Sequence, residues 1–388
     1  MSFLSDLFKR KPKEPEPPRT RQDMEDSLSV QYVETYTIDT AQRTLQHSFT
    51  KQRPPQEEEA KQLKEVFDLI ASVPQGQKLL DEVAQGGYEF FFETTRGAND
   101  GCMYAGTKKI MLCPCQHSSI AGLAATAFHE MTHAVQNDRT KGKLDYKCAN
   151  MNMADQFKFQ RAAEAAAWTE EAKFAYQIRD QHPDVERHVA KFPMYQAFAE
   201  EMEKSGDMAK AGEACFKAWY GYKHYQTAYE ANHVENISYF IGQGCIRKED
   251  TLAESMSSED VLKNVFVSDD IKQNISPDFL TSKEAFSVSK EAIERLENTV
   301  KLYYKDWKQD PSLHNMYSYE TGQTYASQEQ PKEAAAASVR LQEPTKIIPT
   351  EENQSSKTDL MKSLTKLDKA AKVKRAAAAK AKTQTAQH

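Results

Sequence analysis

The segment 127–135 reads Ala-Phe-His-Glu-Met-Thr-His-Ala-Val, which contains the pattern His-Glu-x-x-His without any helix-breaking residue. In a helix, residues i and i+4 lie on the same face, so His129 and His133 can bind one metal ion together. Glu130, beside the first histidine, then lies where a general base is needed. Imidazole is a preferred ligand of zinc, and a catalytic zinc site uses three protein ligands and a water molecule. The segment therefore predicts a helix with two zinc (Zn2+) ligands, and a third ligand elsewhere in the chain.

The composition is that of a globular chain with one sizeable core or two modest ones. The 388 residues are 39% hydrophobic, and the formal net charge of -6 is mild. This charge does not indicate a nucleic-acid partner, and we expect none. The six cysteines are scattered, unlike the dense framework of a small secreted domain, so we expect reduced thiols.

The chain contains no apolar run of the length that a transmembrane helix needs, and its first residues do not resemble a signal peptide. We therefore expect a cytoplasmic protein, while export directed by a terminal signal stays open. Phe3, Leu4, Leu7 and Phe8 have helical spacing and precede a basic run. These residues predict either a weak membrane-surface contact of an N-terminal helix or a frayed terminus.

Changes of composition predict four regions. They are a disordered leader (1–55), a catalytic core (56–240), a helical C-terminal extension (241–320) and a disordered tail rich in Ala and Lys (321–388). The leader is rich in Pro, Glu and Lys, and such a segment cannot bury enough apolar surface to fold alone.

The periodicity of the core predicts a mostly helical α+β fold. Apolar residues at helical spacing between 56 and 83 predict a pair of helices broken near Pro74. Residues 88–93 and 109–112 predict two strands just before the His-Glu-x-x-His helix. The later sequence predicts helices at about 153–180, 192–203, 208–240 and 283–306. A small β-sheet before the motif helix, with helices after it, is the order of a zincin-like core.

The third zinc ligand is predicted to be Glu164. Alanines surround this residue, and small residues also occupy the turns before His129, so the two helices can approach closely. Glu170, Glu171 and Asp145 are the alternatives. The metzincin pattern is excluded because its Gly and third His are replaced by Gln136 and Arg139.

With His129-Glu130-x-x-His133 and a downstream helix containing Glu164, the sequence resembles the gluzincin type of zinc metallopeptidase. In detail it is similar to a family of bacterial metallopeptidases of unassigned substrate. In that family a strand-turn-strand precedes the motif helix and an Arg-x-x-Glu-Ala helix follows it. The resemblance covers roughly residues 85 to 240.

The resemblance implies metal-assisted hydrolysis of an amide bond in a peptide or protein substrate. Zinc would activate the attacking water and polarise the scissile carbonyl, and Glu130 would act as the general base. Tyr229 and His233, one helical turn apart, are candidates for stabilising the oxyanion. An extended substrate is expected to pair with the strand 109–112 or with residues 103–106.

Two other interpretations stay open. Glu130–His133 and Glu230–His233 both read Glu-x-x-His, and Glu82 and Glu164 are available as the remaining glutamates of a di-iron four-helix bundle. This interpretation leaves His129 without a role and does not account for the strands. In the other, the protein is a noncatalytic helical interaction protein and both motif histidines are incidental.

Overall fold

A computed structural model of the chain describes residues 18–40, 43–95, 99–144, 151–242, 254–303 and 311–327. All of them belong to the first of two units, Met1–Glu329. The predicted N-terminal surface helix, Asp145 and nearly all of the predicted tail lie outside the described residues.

Helices make up most of the described chain. They are α1 (Arg21–Asp26), α2 (Glu57–Ala71), α3 (Pro74–Gln85), α4 (Ile120–Arg139), α5 (Met153–Ile178), α6 (Val185–Val189), α7 (Pro193–Ser205), α8 (Met208–Gly221), α9 (Lys223–Gly242), α10 (Ser258–Val265), α11 (Asp269–Asn274) and α12 (Lys290–Tyr303). The predicted helical pair is thus confirmed as α2 and α3. The helix predicted at 283–306 begins later, at Lys290, because the residues before it form a short strand.

The main sheet has five strands in the order β2-β1-β3-β5-β4. They are β1 (Ser29–Thr40), β2 (Arg43–Arg53), β3 (Glu89–Glu93), β4 (Gly101–Tyr104) and β5 (Lys109–Leu112). Strands β1, β3 and β5 are parallel, whereas β2 and β4 pair antiparallel at the two edges. A second sheet pairs β6 (Ser287–Val288) with β7 (Tyr317–Ser318). This mixed sheet within a mostly helical chain confirms the predicted α+β class.

The structure corrects the prediction of a disordered leader for its later part. Helix α1 and the β1–β2 pair occupy residues that were assigned to the leader. Ser29–Gln31 of β1 pair with β3, and Met24, Leu28 and Val30 are buried in the main core. Long-range pairing and burial of these apolar residues therefore overcome the polar composition of the segment.

Helix α4 lies at the centre of the core, in contact with α2, α3, α5, α6, β4 and β5. Ser119 caps its N-terminus, and the Ser119 hydroxyl accepts a hydrogen bond from the backbone N–H of Gly122 over 3.1 Å. Every residue from Ala121 to Asn137 is buried. A helix that is buried on all sides needs small side chains where neighbours approach, which accounts for the alanines before His129.

Among the described residues, none of the helices combines the length and the apolar character that crossing a bilayer requires.

Candidate metal centre

His129 and His133 lie on one face of α4 and meet Glu164, which lies on α5. The Nε2 atoms of the two histidines are 3.1 Å apart. Glu164 Oε2 is 3.8 Å from His129 Nε2, and its Oε1 is 3.6 Å from His133 Nε2. The structure thus brings together the three residues that the sequence suggested as metal ligands.

The spacing of these donor atoms fits a zinc ion. Tetrahedral coordination with bonds of about 2.0–2.2 Å separates the ligand atoms by roughly 3.3–3.6 Å, and the separations here run from 3.1 to 3.8 Å. The buried Oε2 of Glu164 has no hydrogen-bond partner among the described residues. Two imidazoles and one such carboxylate are a donor set typical of catalytic zinc sites.

A carboxylate holds the other ring nitrogen of His129. His129 Nδ1 lies 3.0 Å from Glu171 Oε2, and Glu171 Oε1 lies 3.4 Å from Nε2 of His188. Glu171, predicted as an alternative ligand, contacts the outer side of the His129 ring instead. Such a partner favours the tautomer in which Nε2 is free to bind a metal.

An amide holds the second histidine. His133 Nδ1 lies 2.8 Å from Gln136 Oε1. The amide nitrogen of Gln136 donates to the carbonyl oxygens of Ala163, over 3.0 Å, and Val265, over 2.8 Å. Gln136 is therefore fixed at both ends, and it ties the ring of His133 to α5 and to the end of α10.

The titrating groups of the cluster favour one another's charged forms. Burial lowers the pKa of His129, but the carboxylates of Glu164 and Glu171 outweigh it and raise that pKa to about 10. Burial likewise raises the pKa of Glu164, yet the two imidazoles hold it well below its usual range. The site thus keeps ionised carboxylates in the interior, where a divalent cation would compensate their charge.

Glu130 lines the same cleft as the three clustered residues. Burial raises the pKa of its carboxyl group, although a hydrogen bond from the backbone N–H of Met103 in β4 acts in the opposite direction. Gly101 of the same strand packs directly on this side chain, since a Cβ there would come within 2.8 Å of Glu130 Cγ. A raised pKa suits a carboxylate that must take up a proton.

Tyr229 and His233 have different positions relative to the cluster. Tyr229 lines the cleft, and burial, followed by the charge of Glu164, raises the pKa of its hydroxyl well above the ordinary value. The hydroxyl therefore keeps its proton and remains a hydrogen-bond donor. His233 lines a neighbouring cavity and packs edge-on against Phe157, with ring centroids 4.7 Å apart. One turn of α9 thus separates the two side chains, and His233 is not brought to the cluster.

The cleft has a volume of about 690 Å3. Strand β4 forms one wall and α9 another, while Trp168, Phe192 and Tyr225 add an aromatic surface. No lysine or arginine is found among the described residues that line it. The described lining therefore contains carboxylates, imidazoles and aromatic rings.

The remaining candidate ligands have other partners. Glu170 accepts hydrogen bonds from the backbone N–H groups of Val267 and Ser268, over 2.9 and 2.7 Å. Glu82 pairs with Arg139 at 3.0 Å, and Glu230 pairs with Arg161 at 3.1 Å. These ion pairs contradict the di-iron interpretation, which needs both glutamates at one shared site.

Neither the curated proteins nor the solved structures gave a match to this chain. A family match, in contrast, covers residues 38–245, just over half of the chain, and includes α4, α5 and the end of β1. On this match, and in agreement with the His-His-Glu cluster, the chain belongs to the family described as "Putative metallopeptidase family (DUF6782)".

Proposed function

We propose that this protein is a zinc-dependent peptidase of the gluzincin type. The observation that supports it best is the convergence of His129, His133 and Glu164, with donor atoms 3.1 to 3.8 Å apart, in the cleft that Glu130 also lines. The membership of a family described as metallopeptidases agrees with this proposal. Metal-assisted hydrolysis of a peptide bond uses a Lewis acid and a base at one place, and this cleft offers ligands for a metal ion and Glu130 as the base.

Zinc bound by His129, His133 and Glu164 would supply Lewis acidity toward water and toward the scissile carbonyl. Glu130 takes the proton of the attacking water and then delivers it to the leaving amine. The raised pKa of its buried carboxyl group favours this acceptance. The Met103 N–H and the close packing of Gly101 hold the carboxylate in one orientation while it does so.

Tyr229 is our candidate for stabilising the oxyanion. Its hydroxyl stays protonated because of burial and the nearby charge of Glu164, so it can donate a hydrogen bond to a developing negative charge. The position of His233 in another cavity makes it unsuitable for the same role.

The substrate is proposed to be a peptide that lies along β4. Gly101 and Met103 of β4 line the cleft, and β4 is an edge strand whose described strand partner is β5 alone. An extended peptide can add to such an edge through backbone hydrogen bonds. The predicted alternative, pairing with 109–112, is excluded because β5 lies between β3 and β4.

Metal analysis combined with cleavage of a peptide library tests the proposal. We expect about one zinc per chain in the full-length protein, a loss of zinc in His129→Ala, and retention of zinc with loss of hydrolysis in Glu130→Gln. His182→Ala is the matched control, because this histidine lines neither the cleft nor the neighbouring cavity.

Two results would contradict the proposal. Stoichiometric binding of two irons would favour the di-iron interpretation. Zinc binding that is unaffected by His129→Ala would show that the metal is held elsewhere.

A further inference from the structure

A second cavity adjoins the metal cleft and is not used by the proposed chemistry. Its volume is about 380 Å3, and it lies beside the end of β4 and the turn that follows, 103–107. Met103, Leu144 and Gln160 line both the cavity and the cleft. A peptide that adds to β4 therefore passes its opening, and a volume of this size accepts one large side chain.

Among its described residues, the cavity contains a buried polar atom that lacks a hydrogen-bond partner. His233 is 8% exposed, and its Nε2 has no hydrogen-bond partner among the described residues. Gln160, which is half-buried, and Asn236, which is exposed, also line the cavity, so their side-chain amides can reach a ligand there. Leaving the Nε2 atom of the buried His233 unpartnered is costly, and a ligand group that forms a hydrogen bond with it would remove this cost.

The described lining of the cavity contains no ionised side chain. No Asp, Glu, Lys or Arg is among these residues, and burial, followed by the charge of Arg161, lowers the pKa of His233 to about 3 and so keeps it neutral. Arg161 itself is already paired with Glu230 at 3.1 Å. A charged ligand group would lose its hydration without gaining a counter-charge.

The apolar part of the wall suits the methylene groups of such a side chain. Met103, Leu144 and Ile237 contribute to the lining, and Ile237 is buried. The cavity thus offers apolar contact along its side and neutral amide and imidazole groups for hydrogen bonding.

We propose that this cavity is a substrate subsite that accepts an uncharged amide side chain, that of glutamine or asparagine, from a residue near the scissile bond. His233, Gln160 and Asn236 bind the amide group, and Met103 and Ile237 contact its methylenes. This assignment rests on the proposed peptidase function and adds a preference to it. His233 thereby becomes a specificity-determining residue.

A peptide library that varies one position at a time around the scissile bond tests the subsite. At the position that enters the cavity, we expect kcat/KM for glutamine to exceed that for the isosteric glutamate and methionine by about tenfold. Methionine loses the hydrogen bonds of the amide group, and glutamate adds a negative charge. Binding of the same peptides to the Glu130→Gln protein, followed by fluorescence anisotropy, gives a second readout that does not depend on hydrolysis.

Two variants connect the preference to the cavity. His233→Phe keeps a ring against Phe157 but removes the nitrogen that would bind the amide group. Asn236→Leu removes the amide of an exposed residue, where we expect the fold to tolerate the substitution. Each is expected to abolish most of the glutamine preference while cleavage of peptides with methionine there continues. The control is His182→Phe, which keeps the preference.

The outcomes separate the two proposals. If the zinc-loaded protein cuts no peptide, the proposed function fails and the subsite fails with it. If it cuts peptides with no preference for glutamine or asparagine, or with one that survives both His233→Phe and Asn236→Leu, the subsite alone is overturned.

Discussion

His129 Nδ1 lies 3.0 Å from Glu171 Oε2, so the ring of one predicted zinc ligand is held by a carboxylate on the helix that also bears Glu164. Residues 164 and 171 are seven positions apart, which places them on the same face of α5. The same face thus supplies one proposed metal ligand and the group that orients another.

Replacing Glu171 is expected to weaken metal binding without removing a ligand. Glu171→Gln loses the charge that favours the Nδ1–H tautomer of His129, and loss of such a partner typically lowers metal affinity by about 10–100-fold. Competition with a chromophoric chelator measures the change. Glu203→Gln, at an exposed position of α7, is the control and is expected to leave the affinity unchanged. Equal affinities in both variants would refute the role of Glu171.

The neighbouring residue Glu170 is expected to affect stability instead. Its carboxylate accepts hydrogen bonds from the N–H groups of Val267 and Ser268 and from the Ser268 hydroxyl. Glu170→Ala leaves these buried donors unpaired, which lowers the free energy of unfolding by about 2–4 kcal/mol. Urea unfolding checks the loss, and the zinc affinity of the folded protein is expected to stay at the wild-type value.

A methyl group at residue 101 is expected to displace Glu130, the proposed general base. The Cβ of Gly101→Ala would lie 2.7 Å from Thr126 Cγ2 and 2.8 Å from Glu130 Cγ, so Glu130 or β4 must move. A displacement of this kind costs up to about 100-fold in rate. Steady-state kinetics and metal analysis are expected to show a lower kcat with about one zinc per chain. Gly221→Ala is the control, because nothing lies within 4 Å of its added Cβ.

Tyr229 is expected to act on the rate of hydrolysis more than on binding. Tyr229→Phe removes the hydroxyl that stays protonated beside Glu164. Loss of one oxyanion donor costs about 100–1,000-fold in kcat, with KM changed much less. Tyr225→Phe, which also alters the cleft wall, is the control. If the Tyr229→Phe protein kept a normal kcat, Tyr229 would not be the group that stabilises the oxyanion.

His117 makes the fold sensitive to mild acid. Burial, followed by the charge of His188, lowers the pKa of His117 to about 4, while an unfolded histidine has a pKa of about 6.5. The contribution of neutral His117 to the free energy of unfolding is therefore fully present above about pH 6.5. It falls as the pH drops toward 4, by up to about 1.4 kcal/mol per pH unit. His117→Phe is expected to flatten this dependence in urea unfolding at several pH values. His182→Phe, at another half-buried position, is the control.

The local pattern was sufficient to predict α4 and the shared face of His129 and His133, because a spacing of four residues fixes that face in any helix. The proximity of Glu164 could also be anticipated, since the alanines around it permit close packing of α5 on α4. The contact between Glu171 and His129 was not predicted, although Glu171 lies seven residues after Glu164 and therefore on the same face of α5. The role of Gln136 in holding the ring of His133 could not be recognised from the sequence. Its amide is held by the carbonyl oxygens of Ala163 and Val265, which are distant in sequence.

The β1–β2 pair was missed for a different reason. The Pro- and Lys-rich stretch around residues 9–20 dominated the composition of the leader, although Tyr32-Val33 and Tyr36-Thr37-Ile38 have the aromatic and β-branched residues of strands. The pairing of Ser29–Gln31 with β3 and the burial of Leu28 and Val30 fix this segment to the core, and both depend on residues that are distant in sequence. The structure places His233 in the neighbouring cavity, because equal helical spacing gives a common face but does not make two side chains reach the same point.

The complete burial of α4 from Ala121 to Asn137 constrains how such a protein can diversify. Substitutions in a tightly packed helix disturb neighbours on all sides, so few are tolerated. The side of the cleft formed by α9 includes exposed positions such as His224 and Asn232. Directed evolution toward new substrates is therefore expected to accumulate accepted changes within 223–242 and to leave 121–137 nearly unchanged.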